Sequence, residues 1–182
     1  MMKIISQVEE ARRLLKQGII IAYPTESVYG LGCDPFNKRA VEKILTLKQR
    51  DVSKGLILLI ADWSQLSPLI SAIPEGALDQ VKKTWPGPVT WIFPKSTIIP
   101  DWVSGDHSGV AIRMSAHPVA RQLCLDMPVI STSANLSGHE PAIDIDGVCT
   151  QFPRGIDILL AGDLGGNKPS AIYELLNGRR LR

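Results

Sequence analysis

NKRAVEKILTLKQRDVSKGLILLIA, residues 37–61, changes its periodicity once. Ala40, Val41, Ile44, Leu45 and Leu47 recur at helical spacing behind Asn37, a good N-cap, so residues 37–50 read as an amphipathic helix. Residues 56–61 form an unbroken apolar run of strand length, the pattern of a strand covered on both faces. A helix that gives way to such a strand within a few residues is the unit of a layered α/β fold. Between the two stand Lys48, Arg50 and Lys54, three cations at the mouth of an apolar run. They either oppose the negative end of the helix dipole or receive an anion.

The same alternation continues outward. SQVEEARRLLKQG reads as a helix, with Ser6 and Glu9 as a capping box and Gly18 as its stop. IIIAY is a short buried strand, and PTESVYGLGCDP a Pro/Gly-punctuated loop. A polar helical region is predicted over residues 74–83. WPGPVTWIFP turns and enters a strand, GVAIRM is a strand and HPVARQLCLD a helix. PVISTSAN is a strand ending in small polar residues, and IDILLAG and PSAIYELL are two late strands. With no repeat or linker, residues 1–182 are expected to form one α/β domain, a twisted mixed sheet flanked by helices.

Composition narrows the function classes. An apolar share of 45% and a charged share of 21% over 182 residues suit a soluble domain with a real core. A net charge of +2 is too mild for a nucleic-acid-coating or membrane-hugging surface. Cys33, Cys124 and Cys149 are few and far apart, which fits a reducing, cytoplasmic setting. No apolar run approaches the roughly 20 residues that span a bilayer, and the N-terminus turns charged too early for a signal peptide.

Several chemistries find no motif. There is no P-loop and no Gly-rich dinucleotide turn. His107, His117 and His139 are scattered, so no zinc site is indicated. His117 before Pro118 reads as a helix start, and Cys124 as a core residue. Four polar clusters stand beside strand ends instead: PTESVYG, KQRDVSK, GPVT and STSAN. Singly, each reads as a turn, a helix end or a strand residue. Together they offer hydroxyls, an amide and cations beyond strand ends, where open α/β sheets bind ligands, and an anionic nucleotide suits them.

These motifs resemble the YrdC-like family of L-threonylcarbamoyladenylate synthases, of the short, bacterial type. The resemblance runs from AYPTESVYGLGCDP through LKQRDVSKGLILL, WPGPVTWIFP, VAIRMSAHPVA and VISTSANLSG to PSAIYEL, with K-x-R at Lys48 and Arg50 and S-x-N at Ser133 and Asn135. KQRDVSKGL stands where the longer branch has K-R-P-x-x-x-P-L, and that branch's extra C-terminal domain is not seen. The resemblance implies synthesis of threonylcarbamoyl-AMP from ATP, L-threonine and bicarbonate, with Mg²⁺ accompanying ATP. The product would feed a tRNA threonylcarbamoyl transferase complex acting on adenosine 37 of tRNAs reading ANN codons. It also implies catalytic roles for Lys48 and Arg50. ATP contacts would come from Lys48, Arg50, Lys54, Thr90, Ser133 and Asn135, and threonine contacts from Thr25, Arg113, Ser131 and Ser170. The rival expectation is a double-stranded RNA-binding or ribosome-maturation factor. An aromatic share of 5% and the absence of RRM or KH signatures weigh against it.

Overall fold

The structure is a computed structural model that describes residues 2–166 and 169–182. Its frame is a nine-stranded mixed sheet: β1 (Lys3–Ile5), β2 (Ile21–Pro24), β3 (Tyr29–Gly32), β4 (Ile57–Ile60), β5 (Val89–Pro94), β6 (Gly109–Met114), β7 (Val129–Ser133), β8 (Ile158–Leu160) and β9 (Ala171–Glu174). The order across the sheet is β1-β8-β2-β3-β7-β4-β6-β5-β9. Around it lie α1 (Val8–Leu15), α2 (Lys38–Lys48), α3 (Leu78–Lys82), α4 (Asp101–Ser104), α5 (Pro118–Leu123) and α6 (Ile145–Gln151).

Period-two alternation assigns the two faces of the sheet. Ala22, Leu31, Leu58, Ile60, Trp91, Phe93, Val110, Ile112, Ile130 and Leu159 point to one side and join the main core with residues of α2, α3, α4 and α6. Ile21, Tyr23, Leu59, Val129, Ile158 and Leu160 point to the other side and pack with Ala11 and Leu15 of α1 and Ala120 and Leu123 of α5. Beyond those two helices the second face bears Gly30, Ala111, Ser131 and Ser133, too small to fill the space above them.

Three expectations change. The α1 start has no capping box: Gln7 is the N-cap and makes no side-chain bond, and Glu9 and Glu10 in the first turn suit the positive dipole end instead. The segment read as a loop contains β3, which pairs antiparallel with β2 and with β7. It was hidden because YGLG is half glycine, a composition that weakens strands. The helical region expected over residues 74–83 contracts to the five residues of α3. The helix read over residues 37–50 forms over residues 38–48, and the Asn37 side chain accepts from the Ala40 N–H at 3.1 Å. It ends with Gln49 in the left-handed region at φ 51°, while Arg50 N–H donates to Leu45 O and Gln49 N–H to Thr46 O. That paired closure reverses the chain, so Lys48 and Arg50 leave the helix on different sides.

Candidate active site

The gap above the small-residue face is a cavity of about 1060 Å³. Its floor is built by alternate strand positions: Gly30, Ser131, Ser133, Ile57, Ala111, Arg113 and Ile92. Its walls are the loop around Thr25 and Glu26, the cationic turn bearing Arg50 and Lys54, the loop at residues 104–109, and the chain after β9. Of the expected site residues, Thr25, Arg50, Lys54, Arg113, Ser131, Ser133 and Ser170 line this one space.

The cationic turn is braced backbone to backbone. Gly55 has φ 62°, and a Cβ there would stand 2.8 Å from Ser104 O; Gly105 has φ 61°, and a Cβ there would stand 2.3 Å from Ser53 O. Only glycine fits either place. Leu56 N–H donates to Val103 O at 2.8 Å across the same junction. This accounts for the Lys54–Gly55 pair: the turn needs glycine to meet its neighbour. Arg50 donates to Gly55 O at 2.9 Å, while its Nε is buried without a partner. Burial, and then the charge of Arg182, make the Arg50 guanidinium harder to keep protonated than usual.

Arg113 is buried with Glu26. Its Nε donates to Gly87 O at 3.0 Å, and its NH2 lies 2.6 Å from Glu26 Oε1, a charge contact without hydrogen-bond alignment. The same carboxylate oxygen accepts from Ser115 Oγ at 2.9 Å and Ala116 N–H at 3.0 Å, leaving Oε2 buried and unpartnered. Burial alone would raise the Glu26 pKa, but Arg113 and the converging donors hold it below the ordinary carboxylate value. Thr25 donates its hydroxyl proton to Val28 O at 2.6 Å, so toward a ligand it can only accept.

Lys48, Thr90 and Asn135, expected to contact ATP, are not among the residues that line the cavity. Thr90 is fully buried and pairs with Ser170 Oγ at 3.0 Å, one layer behind the wall. Lys48 is 3% exposed, not on the rim of its helix. Its ammonium donates to Ser133 O, to Asn135 O at 2.8 Å and to Asn135 Oδ1 at 3.1 Å. All three protons are committed, so Lys48 holds the turn after β7 in place and presents Ser133 to the cavity.

Burial, then the charge of Arg50, push the Lys48 pKa down to about 8. A neutral amine has two N–H groups for three oxygens. Turnover is therefore expected to fall above pH 8 with a midpoint near that value. Fold stability moves the other way: between about 8 and 10.5 the unfolded chain binds the proton more readily, so this group's contribution rises with pH. Parallel pH profiles of turnover and melting temperature check both signs, and a flat turnover profile from pH 7 to 9.5 contradicts the role.

Two residues that line the cavity escape the reading of the sequence. Glu26 sits inside a quoted motif that reads singly as a turn. Arg182 reaches the cavity because the chain turns after β9 and returns beside it: Leu181 N–H donates to Ile172 O at 2.8 Å and Ile172 N–H to Arg182 O at 3.2 Å. Asn177–Gly178 between PSAIYELL and RRLR was the available hairpin signal. The Arg182 guanidinium donates to Ser170 O at 3.0 Å through NH2. Arg113 pairs with Glu26 and Arg179 with Glu174, whereas Arg50, Lys54 and Arg182 form no ion pair among the described residues. After burial, Arg182 disfavours the charge on Arg50 and Arg113 that on Arg182, and an entering polyanion relieves that repulsion.

Comparison with known proteins follows the same line. The family model described as telomere recombination, covering Sua5, YciO and YrdC proteins, matches residues 13–182. The threonylcarbamoyl-AMP synthase of Coxiella burnetii (strain RSA 493 / Nine Mile phase I) is 47% identical over 178 residues, 96% of each chain. Sua5 of P. abyssi, solved in complex with L-threonine, superposes with a TM-score of 0.88 at 31% identity, over 99% of this chain and 56% of that one. YciO of E. coli superposes with a TM-score of 0.85 at 26% identity, over 100% of this chain and 94% of that one. The chain thus spans little more than half the length of the P. abyssi protein.

Proposed function

The chain belongs to the Sua5/YciO/YrdC family, and from that premise we propose that it makes L-threonylcarbamoyladenylate from ATP, L-threonine and bicarbonate, with release of pyrophosphate. The observation that carries the nucleotide side is the set Arg50, Lys54 and Arg182, which face one cavity and form no ion pair among the described residues. Arg113 marks the other end and takes the amino-acid carboxylate.

The threonine amine first condenses with bicarbonate, with loss of water, to give a carbamate. A carbamate oxygen then attacks the α-phosphorus, the bond to the β-phosphate oxygen breaks, and pyrophosphate leaves with the electron pair. Negative charge grows on the phosphate oxygens, and fixed cations stabilise it with little reorganisation. Arg50 offers a planar fork and Lys54 a mobile point charge at the rim. Ser133 and Ser170 contribute hydroxyls beside the substrates, while Lys48, Thr90 and Asn135 act behind the wall as positioning residues. ATP enters as its Mg²⁺ complex, the ion being part of the substrate.

The product is a mixed anhydride of a carbamic acid and a phosphate, labile in water. It passes to a tRNA threonylcarbamoyl transferase complex, and the proposed setting of both steps is the cytoplasm. Among the described residues no helix is long and apolar enough to cross a membrane. The family match and the named relatives favour this catalytic reading over the RNA-binding one.

The test uses purified protein with ATP, Mg²⁺, threonine and labelled bicarbonate. Label is expected in an aminoacyl-carbamoyl adenylate, with pyrophosphate released only when all substrates are present. Pyrophosphate release that ignores threonine, or no labelled adenylate, overturns the proposal.

A further inference from the structure

We infer that Tyr23, behind the cavity wall, is a positioning residue for the amino-acid substrate: it fixes Ser131 as a hydrogen-bond donor aimed into the cavity. The inference rests on the function proposed above and extends it to a residue that touches no substrate.

Tyr23 is 1% exposed, and its hydroxyl donates to Ser131 Oγ at 2.8 Å. The two residues are not on neighbouring strands. Tyr23 lies on β2, Ser131 on β7, and β3 runs between them. Tyr23 faces Gly30 across the β2–β3 pair, and Gly30 faces Ser133 across the β3–β7 pair. Continuing that antiparallel register by two residues sets Gly32 beside Ser131. The phenol ring therefore crosses β3 above two glycines. A Cβ on Gly30 would stand 3.2 Å from the ring Cζ and 3.4 Å from the hydroxyl, and a Cβ on Gly32 would stand 2.8 Å from Cε1. Side chains at those two positions would close the lane, and their absence is what weakens the strand signature of YGLG.

A ring that only filled space would not need the hydroxyl. Here the hydroxyl reaches one acceptor, and that acceptor lines the cavity. Burial raises the phenol pKa well above its ordinary value, so Tyr23 keeps its proton and remains a donor at every working pH. Ser131 Oγ, having accepted, retains its own proton. Among the described residues that side chain makes no other hydrogen bond, so the proton is left to a ligand. Donation from the phenol also polarises the serine hydroxyl and strengthens its outgoing bond. The chemistry recognised is an oxygen acceptor, a carboxylate or carbamate oxygen of the amino-acid substrate, and not its ammonium group. Thr25 is wired the opposite way, as an acceptor, so the two hydroxyls read different atoms of one substrate.

The test is a double-mutant cycle on the full chain with pyrophosphate release as the readout. Tyr23→Phe keeps the ring over Gly30 and Gly32 and is expected to melt normally. Its KM for threonine should rise about tenfold, the scale of one net hydrogen bond, with KM for ATP unchanged. Ser131→Ala should show a rise of similar size. Tyr23→Phe combined with Ser131→Ala should be no worse than Ser131→Ala alone, because the phenol acts through the serine. Additive losses overturn the inference, and so does a matching rise in KM for ATP or an unchanged KM for threonine in Tyr23→Phe. A wild-type protein that ignores threonine would defeat the functional reading itself, an outcome distinct from additive variants of an active enzyme.

Discussion

Arg50→Ala is expected to slow pyrophosphate release by about 10²–10³-fold, the cost of removing one fixed donor from developing charge, and to leave the melting temperature nearly unchanged. The structure supplies both halves. Arg50 is half-buried and faces the cavity, and among the described residues its guanidinium makes one hydrogen bond, to Gly55 O at 2.9 Å. It forms no ion pair among the described residues, so its loss strands no opposite charge. One net hydrogen bond contributes about 1 kcal/mol, which moves the melting point of a chain this size by roughly 2–4 °C. Arg50→Lys is expected to recover little rate, since a point charge does not reproduce a planar fork. Thermal midpoint and turnover measured together on the three proteins decide the matter. Near-normal turnover in Arg50→Ala returns these cations to the ordinary role of a solvated helix end.

Arg113→Ala is expected to show the reverse pattern in stability. Glu26 is 5% exposed, and removing its guanidinium leaves a buried carboxylate without its counter-charge. Breaking a buried pair from one side costs about 3–5 kcal/mol, a fall in melting temperature of roughly 6–20 °C. Threonine-dependent turnover should vanish with it, because the proposed partner of the amino-acid carboxylate is gone. The pair also has a pH signature. Glu26 titrates below its ordinary value of 4.5 when folded, so its contribution is complete above that pH and is lost as pH falls through the lower folded value. Wild type should thus lose stability on acidification more steeply than Arg113→Ala, which no longer has the pair to lose. An Arg113→Ala protein that melts like wild type would show that the pair contributes nothing to stability.

Much of this was legible in the chain, and the gaps have physical causes. The run from Ala40 to Leu47 showed its helix because helical periodicity carries many apolar positions. The unbroken strand after it announced a sheet with both faces covered. The cavity was written in the same alternation but in its silent half: Gly109, Ala111 and Arg113 against Val110, Ile112 and Met114, and Ser131 and Ser133 against Ile130. Attention to apolar residues finds the core face and passes over the small residues that make room. Lys48 was hard to read for a related reason. It follows Ile44 by four residues and so shares its inward face, but a cation at a helix end reads first as a partner of the dipole or of an anion. Its three acceptors come from residues 133 and 135, distant in sequence, and no local pattern reveals them. Arg182 depends on a hairpin signalled by two residues, and its neighbour in the cavity, Arg50, lies far away along the chain.

The junction of Gly55 with Ser104 and of Gly105 with Ser53 bears on how the site meets its ligand. A phosphate-binding turn held only by its own residues must surrender conformational freedom when the anion arrives, about 1–2 kcal/mol for each backbone residue ordered. Here two carbonyls already press against two glycines, so that ordering is completed when the chain folds. The attraction between anion and cations then goes into affinity with little subtracted for loop closure. Such a turn acts as a fixed receptacle, and encounter with it is governed by diffusion and by the field of its charges, without a wait for the backbone to rearrange.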